Sequence, residues 1–275
     1  MKLSIIIPNY NGESFIVKTI LSLLNGFNNC TVIVIDDAST DNSVEVINSI
    51  DNNRLHLICK PKNGGFASSI NRGIEHCIQN QIEFAIIANS DIDITLNNCK
   101  EILEAVNAFS DTEVAVLGFL ESANDFSKEG KNISGFLFAL RLGVIADIGY
   151  FDETFYMYGE EQDFFNRVDL HGYKIKQTGI VVHHASEMSG NSNDFNSWLS
   201  VRNSIYLSVK SKNAFVIFKK VLVLFFLINR LYRRSDNDVS LQRIRRVGII
   251  TGNINLLKAV IWNIKKMREE NVKPE

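Results

Sequence analysis

Residues 83–93 read Glu-Phe-Ala-Ile-Ile-Ala-Asn-Ser-Asp-Ile-Asp, a short apolar run that ends in two carboxylates. The apolar residues favour a buried strand, and the polar residues after them indicate where that strand ends. Two carboxylates on alternate residues are costly at a strand end unless a cation or strong hydrogen-bond donors compensate them. Mg²⁺ and Mn²⁺ take oxygen ligands and bridge protein carboxylates to substrate phosphates. Asp91 and Asp93 are therefore candidate metal ligands.

Three similar apolar runs precede this one and alternate with segments of helical periodicity. The four predicted strands cover residues 3–7, 31–35, 55–59 and 83–88. The intervening predicted helices cover residues 13–25, 41–50, 66–80 and 96–109. Later strands are predicted near 113–119 and 134–141, and later helices over 160–171 and 194–211. This alternation predicts an α/β fold whose mostly parallel central sheet is flanked by helices.

Polar clusters follow each of the first four runs. They are Pro8-Asn9-Tyr10-Asn11, Asp36-Asp37, Asn63-Gly64-Gly65 and Asn89-Ser90-Asp91. Ligands of an open parallel sheet bind beyond the carboxyl ends of its strands, so the clusters together predict a nucleotide site. The alternative for the Asn and Gly residues is ordinary turns, and Asp36-Asp37 also resembles a phospho-receiver pocket. Neither a dinucleotide-binding GxGxxG nor a phosphate-binding P-loop is present.

Composition indicates one sizeable globular core in a reducing compartment. The chain has 275 residues, 45% of them hydrophobic, and four scattered cysteines without metal-ligand spacing. The first residues lack the basic and apolar regions of a secretory signal, so we expect a cytoplasmic location. An abrupt change of composition near residue 211 predicts a main domain over 1–211 and a C-terminal helical extension over 212–275.

The extension differs in charge from the rest of the chain. Residues 1–211 carry 15 Lys and Arg against 26 Asp and Glu, a net of −11, whereas residues 212–275 carry 14 against 5, a net of +9. The apolar run at 221–228 is too short to span a bilayer. It predicts peripheral binding of residues 212–246 to an anionic membrane on its inner face, rather than to nucleic acid. A buried closing helix or a homodimer interface is the alternative.

With these motifs in order, the sequence resembles family 2 glycosyltransferases, the inverting GT-A enzymes, and within them a branch that contains rhamnosyltransferases. The resemblance extends from residue 3 to about 210. It rests on the four strand-end motifs above and on later segments that are similar to family motifs. These segments are Gly149-Tyr150-Phe151-Asp152-Glu153, Tyr158-Gly159-Glu160-Glu161-Gln162-Asp163, Val181-Val182-His183 and Arg202-Asn203.

The resemblance implies a nucleotide-binding half over about 1–110, an acceptor half over about 111–211, and a role for each matching residue. The implied nucleotide-sugar ligands are Pro8, Tyr10, Asn11, Asp37, Asn63, Gly64, Asn71, Asp91 and Arg202, with Asp37 accepting from a pyrimidine imide. The implied ligands of Mn²⁺ or Mg²⁺ are Asp93, Asp91 and His183, although His184 next to it leaves the choice open by one residue.

The implied catalytic residues are Glu161, Glu160 and Asp163, with Glu161 at the position of the base and Glu160 as the alternative. Asp152 is a candidate acceptor ligand. The resemblance thus implies transfer of a sugar from a UDP- or dTDP-sugar to a saccharide or lipid-linked acceptor of bacterial surface polysaccharide. Two rival functions stay open, a nucleotidyltransferase and an inactive partner subunit. The first is disfavoured because no basic residue follows the first strand, and the second because the acidic residues are retained.

Overall fold

The computed structural model describes residues 2–122, 133–184, 194–229 and 247–271. The strands of the main sheet are β1 (Leu3–Asn9), β2 (Thr31–Asp36), β3 (Leu55–Cys59), β4 (Phe84–Ala88), β6 (Val114–Leu120), β7 (Leu137–Arg141) and β8 (Lys174–Val181). Two short strands, β5 (Ile92–Asp93) and β9 (His183–His184), pair with each other. The helices are α1 (Ile16–Gly26), α2 (Ser43–Asn48), α3 (Gly65–Gln79), α4 (Leu96–Val106), α5 (Ile145–Ile148), α6 (Glu160–Leu170), α7 (Asp194–Lys210), α8 (Ala214–Ile228) and α9 (Gly248–Asn271).

The seven-stranded sheet has the order β3-β2-β1-β4-β7-β6-β8. Its first four strands are mutually parallel, β7 runs antiparallel to both of its neighbours, and β8 is parallel to β6. The predicted α/β class with a mostly parallel sheet is therefore confirmed. The position of β7 between β4 and β6 could not be read from the sequence, because it depends on strand order.

Both faces of the sheet are buried, which explains why the apolar runs are continuous instead of alternating. Ile5 and Ile7 of β1 pack on the face that is covered by α1, in a cluster with Leu23. Ile6, between them, packs on the opposite face with Ile70 of α3. Because successive side chains of a strand point to opposite faces, each residue of the run needs an apolar side chain.

The described chain divides into two compact units. The first comprises Met1–Tyr156 and Glu160–Met188, and the second comprises Met157–Gly159 and Ser189–Glu275. In the second unit, α7 packs on α8 and α9, and α9 packs on α8. The predicted boundary at residue 211 lies inside this unit, at the end of α7, and the division of the chain into functional domains stays a prediction.

The helical unit contains no segment suited to span a bilayer, as far as the described residues go. The apolar α8 is only 15 residues long, and the 24 residues of α9 include polar and basic side chains throughout.

Candidate active site

The strand-end clusters lie at one edge of the sheet, as predicted, because β3, β2, β1 and β4 are adjacent and parallel. Hydrogen bonds join the first two clusters. The Asn9 side chain donates to Asp36 at 3.0 Å, and the backbone N–H of Asn11 donates to the Ser39 hydroxyl at 2.9 Å. Pro8 is buried within β1, whereas Tyr10, the next residue after that strand, is exposed. The first two strands thus end in one connected polar surface.

Asp37 is buried and closely surrounded by donors. One oxygen accepts from the Gly64 N–H at 2.9 Å and lies 2.6 Å from Lys60 Nζ, and the other accepts from the Gly65 N–H at 2.8 Å. Lys60 directly follows β3, and Ser68 accepts a further hydrogen bond from its ammonium group at 3.0 Å. Sequence reasoning missed Lys60, although its place just after a buried strand was a usable signal.

Tyr156 closes this corner of the site over Asn63 and Gly65. The Tyr156 hydroxyl donates to Asn63 Oδ1 at 2.7 Å. Gly65 has a φ of +84°, and a Cβ on it would lie 2.3 Å from the Tyr156 carbonyl oxygen. Burial and the charge of Asp37 raise the pKa of the Tyr156 phenol. Only glycine fits at this position, because both the backbone angle and the space exclude a side chain.

Asn71, a predicted nucleotide ligand, makes its observed contacts within the protein. Its side-chain nitrogen donates to the Phe151 carbonyl at 2.9 Å and to Glu153 at 2.9 Å, and its oxygen accepts from the Phe151 N–H at 3.0 Å. Asn71 therefore fixes the loop after α5. Asp152 in the same loop accepts from the Thr154 N–H at 2.9 Å and caps a 3₁₀ turn. Ligand contacts of both residues stay predictions.

Asp91 meets His184 at the centre of the site. Nε2 of His184 lies 2.9 Å from Asp91 Oδ1, and its Nδ1 lies 2.9 Å from Glu121 Oε1. Phe136 stacks on the imidazole with ring centroids 5.3 Å apart. Burial alone would lower the pKa of His184, but its hydrogen bonds to Asp91 and Glu121 outweigh burial and raise the pKa to about 9. Glu121, one residue past β6, was not predicted.

The structure brings His184, and not its neighbour, against Asp91. His183 is exposed and stands opposite Asp93 in the β5–β9 pair. Asp93 is itself half exposed and forms an ion pair with Lys18 at 3.1 Å. The pairing of β5 with β9 therefore decides which of the two adjacent imidazoles faces the carboxylate that follows β4.

The donor set around Asp91 fits a divalent ion that is shared with a substrate and that displaces the proton which the raised pKa of about 9 leaves on His184 at neutral pH. Metal bonds from carboxylate oxygen and imidazole nitrogen are about 2.0–2.2 Å long, so two atoms 2.9 Å apart are at a suitable distance to bind one ion side by side. Glu121 is hydrogen-bonded to Nδ1, the other ring nitrogen of His184, and carboxylates in this position orient metal-binding histidines in other proteins. Within the described residues, no three His, Cys, Asp or Glu side chains form a complete chelate. An ion there would need ligands from a diphosphate.

The predicted catalytic acids begin α6 and differ in accessibility. Glu160 and Asp163 are buried, whereas Glu161 is partly exposed. The Glu161 side chain passes over Gly135, where an added Cβ would lie 3.2 Å from Glu161 Cδ. Glu161 therefore packs on the residue that precedes Phe136, which in turn stacks on His184. Asp163 instead accepts from Arg167 Nε at 3.0 Å.

Arg202, the remaining predicted ligand, lies in the helical unit. It is buried there, with its guanidinium 4.5 Å from the Trp262 ring centroid and 5.2 Å from that of Trp198. The neighbouring Asn203 donates to the carbonyls of Met157 and Tyr158 at 2.8 and 2.7 Å. These contacts organise the unit internally, and a contact between Arg202 and the nucleotide sugar stays a prediction.

Known proteins that are similar to this chain include two glycosyltransferases. An uncharacterized glycosyltransferase of Haemophilus influenzae is 40% identical over 102 residues, which cover 34% of this chain and 41% of that protein. Glycosyltransferase GlyG of Streptococcus pneumoniae is 30% identical over 117 residues, which cover 42% of this chain and 38% of that protein. The matched region thus spans about two fifths of the length of these relatives.

Solved structures of similar fold include the mannosyltransferase PcManGT from Pyrobaculum calidifontis, in complex with GDP-Man and Mn²⁺. It matches with a TM-score of 0.66 at 14% identity and covers 96% of this chain and 87% of that chain. Residues 1–349 of TarS from S. aureus match with a TM-score of 0.58 at 21% identity, covering 94% and 81%. The family model described as Glycosyl transferase family 2 matches residues 4–172. That match spans more than half of the sequence, and the chain therefore belongs to glycosyl transferase family 2 and has its GT-A fold.

Proposed function

We propose that the protein is an inverting, metal-dependent glycosyltransferase of bacterial surface-polysaccharide synthesis. It moves a sugar from a UDP- or dTDP-sugar to a saccharide or a lipid-linked saccharide. The observation that carries the proposal is the Asp91–His184–Glu121 array at the carboxyl edge of the sheet, with Glu161 packed on Gly135, the residue before the Phe136 that stacks on His184.

The contacts of Asp37 support a pyrimidine base in the donor. A carboxylate offers about four lone-pair sites, and three donors already occupy Asp37, namely the N–H groups of Gly64 and Gly65 and the ammonium of Lys60. One site is left, which suits the single imide N–H of uracil or thymine. Guanine presents an imide N–H together with an adjacent amino group and would need two acceptors side by side. Tyr10, exposed next to this corner, offers a ring on which the base can stack.

Asp91, Asp93 and His184 are the residues that would hold the divalent ion. Bound there with the donor, Mn²⁺ or Mg²⁺ would offset the negative charge that develops on the leaving diphosphate. Asp91 and His184 are already adjacent, whereas Asp93 would exchange its exposed ion pair with Lys18 for the ion. Exposed ion pairs of this type contribute little stability, so the exchange costs little.

Glu161 is the proposed general base. It is the accessible member of the Glu160–Glu161 pair, and Gly135 leaves its side chain the space to lie along the site. Its carboxylate takes the proton of the acceptor hydroxyl as that oxygen attacks the anomeric carbon from the side opposite to the leaving diphosphate. One displacement of this kind inverts the anomeric configuration.

The proposal is tested by thermal shift and by product formation. UDP-, dTDP- and GDP-sugars are each added with and without Mn²⁺, because a ligand that binds the folded state raises its melting temperature. We expect the largest shift with a pyrimidine nucleotide sugar and Mn²⁺. Asp93→Ala should lose the Mn²⁺-dependent part of the shift, and Glu161→Ala should keep the shift but form no product.

Glu104→Ala, which removes an exposed carboxylate of α4, is the matched control and should behave as the wild type. Full product formation by the Asp93 and Glu161 variants would show that the site is wrongly assigned. A shift with GDP-sugars alone would overturn the proposed base, and the absence of a shift with every nucleotide sugar would overturn the proposed activity.

A further inference from the structure

Helix α8 carries a stripe of large apolar side chains on its outward face. Phe215, Phe218, Leu222 and Phe225 are spaced by three, four and three residues and are all exposed, Phe215 to 72%. The opposite face of the same helix packs into the helical unit through Leu224, Leu227 and Ile228. With Phe226, which is also exposed, α8 has four exposed phenylalanines, more than the scattered single apolar residues that are normal on a protein surface.

Helix α9 carries a second stripe, which the sequence did not predict. Its exposed apolar residues are Ile250, Ile254, Leu257, Ile261 and Ile264. Their spacing of four, three, four and three residues puts them on one face of the helix. The other face packs into the unit through Leu256, Ala259 and Asn263. The two helices contact each other where α8 ends, since the amides of Asn229 and Asn253 exchange hydrogen bonds at 3.1 Å.

The charged residues next to both stripes are basic. Lys219 lies on the outward face of α8, and Lys258 and Lys265 flank the stripe of α9, all three exposed. Over residues 212–271, to the end of α9, the sequence has 13 Lys and Arg against 4 Asp and Glu. An apolar face that is bordered by lysines is typical of helices that lie in the interface of an anionic membrane.

We propose that the outward faces of α8 and α9 bind the surface of a membrane that contains anionic lipids. The phenylalanines and the Ile and Leu side chains enter the region between headgroups and acyl chains, while the lysines contact lipid phosphates. This surface extends the predicted membrane segment 212–246. The stripe of α8 lies within that segment, whereas the stripe of α9 lies beyond residue 246.

A second copy of the chain is the competing occupant, because the stripe of α9 has the spacing of a coiled-coil seam. In such a seam the residues that flank the core form interhelical ion pairs. Here the flanking positions hold Lys258 and Lys265 on one side and Asn253, Val260 and Met267 on the other. Two copies would face each other without an acidic partner for either lysine, so the charges favour lipid.

The test is flotation of the full chain with vesicles, carried out without nucleotide sugar so that its result does not depend on the proposed function. One set of vesicles is phosphatidylcholine, and the other is an equal mixture of phosphatidylcholine and phosphatidylglycerol. We expect binding to the mixture and little binding to phosphatidylcholine. The combined variant, Phe218→Glu with Leu257→Glu, should bind to the anionic mixture at least about tenfold more weakly than the wild type.

Leu170→Glu is the matched control, because Leu170 at the end of α6 is 80% exposed but lies in the other unit. It should float as the wild type does. A second combined variant, Lys258→Glu with Lys265→Glu, keeps the apolar stripe of α9. It should also bind less to the mixture that contains phosphatidylglycerol. Unchanged melting temperatures establish that the variants are folded.

The proposal would be overturned if the wild type bound equally to both sets of vesicles. It would also be overturned if both combined variants bound to the anionic mixture as well as the wild type does. A second result would also overturn it: the wild type does not float and has the mass of two chains by light scattering, whereas the Phe218→Glu, Leu257→Glu variant has the mass of one chain. That result would assign the surface to a second copy of the chain.

Discussion

His184 lies 2.9 Å from Asp91, although 93 residues separate the two in the sequence. The contact depends on two elements that are far apart in the chain, the turn after β4 and the short strand β9. Asp91 follows a buried central strand, whereas β9 pairs with β5 over two residues and is also held by the contacts of His184 with Glu121 and Phe136. The adjacent His183, which has the same chemistry, does not reach the carboxylate.

The two histidines form a natural pair for mutagenesis. His184→Ala should lower the affinity for Mn²⁺ in the presence of nucleotide by at least about tenfold, because it removes an imidazole beside Asp91. His183→Ala should leave that affinity unchanged, since His183 is exposed and faces Asp93. Titration of Mn²⁺ against the melting temperature measures both. The opposite ranking would mean that His183 is the ligand.

The role of Glu161 predicts a separation of binding from turnover. Glu161→Gln should reduce kcat by about 10²–10⁴-fold, the usual contribution of a general base, and leave the nucleotide-dependent thermal shift in place. Glu161→Asp should recover part of the activity, since a carboxylate is restored at a slightly shorter reach. Full activity of the Gln variant, which keeps the shape of the side chain without its charge, would point to a packing role against Gly135 and against proton transfer.

Asp163 was predicted to be catalytic, but its observed contacts predict a contribution to stability. It accepts from Arg167, which in turn donates to the carbonyls of Ile148 and Tyr150 and so holds the turn after α5. Asp163→Asn should cost about 1–3 kcal/mol of unfolding free energy, because a largely buried guanidinium loses its only described charged partner.

A double-mutant cycle tests this assignment. Asp163→Asn and Arg167→Gln, alone and combined, should show a coupling energy of about 0.5–3 kcal/mol in urea unfolding. If the two substitutions instead had additive effects on the unfolding free energy, and Asp163→Asn alone greatly lowered kcat, Asp163 would be assigned a catalytic role.

Gly65→Ala should destabilise the protein by about 1–3 kcal/mol, since φ is +84° and the new Cβ would meet the Tyr156 carbonyl at 2.3 Å. Gly179→Ala in β8 is the control, because a Cβ added there would have no neighbouring atom within 4 Å and the backbone has no positive φ. It should change the unfolding free energy by no more than about 0.5 kcal/mol. Urea unfolding of both variants provides the comparison.

Much of the fold was predictable because its strands are buried on both faces. The first four strands and the helices between them were found to within a few residues, since continuous Ile and Val runs bounded by Asn, Asp and Gly have few other interpretations. The edge strand β8 was missed. Its alternation of Lys174, Ile175 and Lys176 reflects burial on one face only, and that signal is weaker over a short segment.

The site was predictable where a motif coincided with a strand end, and not where a partner came from a distant strand. Asp37 and Asp91 were identified, whereas Lys60 and Glu121 were not, although each directly follows a buried or partly buried strand. Their roles depend on contacts with Asp37 and His184, which follow from strand order. The choice between His183 and His184 likewise depends on the pairing of β5 with β9.

That pairing has a consequence for how the protein tolerates insertions and deletions. Neighbouring residues of a strand point to opposite faces, so a shift by one residue exchanges which side chain faces a given partner. A deletion of one residue in the segment that leads from β8 to β9 would move His184 away from Asp91, but an insertion of one residue there would bring His183 to the place of His184. After such an insertion, an imidazole would remain beside Asp91. In a chain with only one histidine at this place, the same insertion would leave Asp91 without an imidazole.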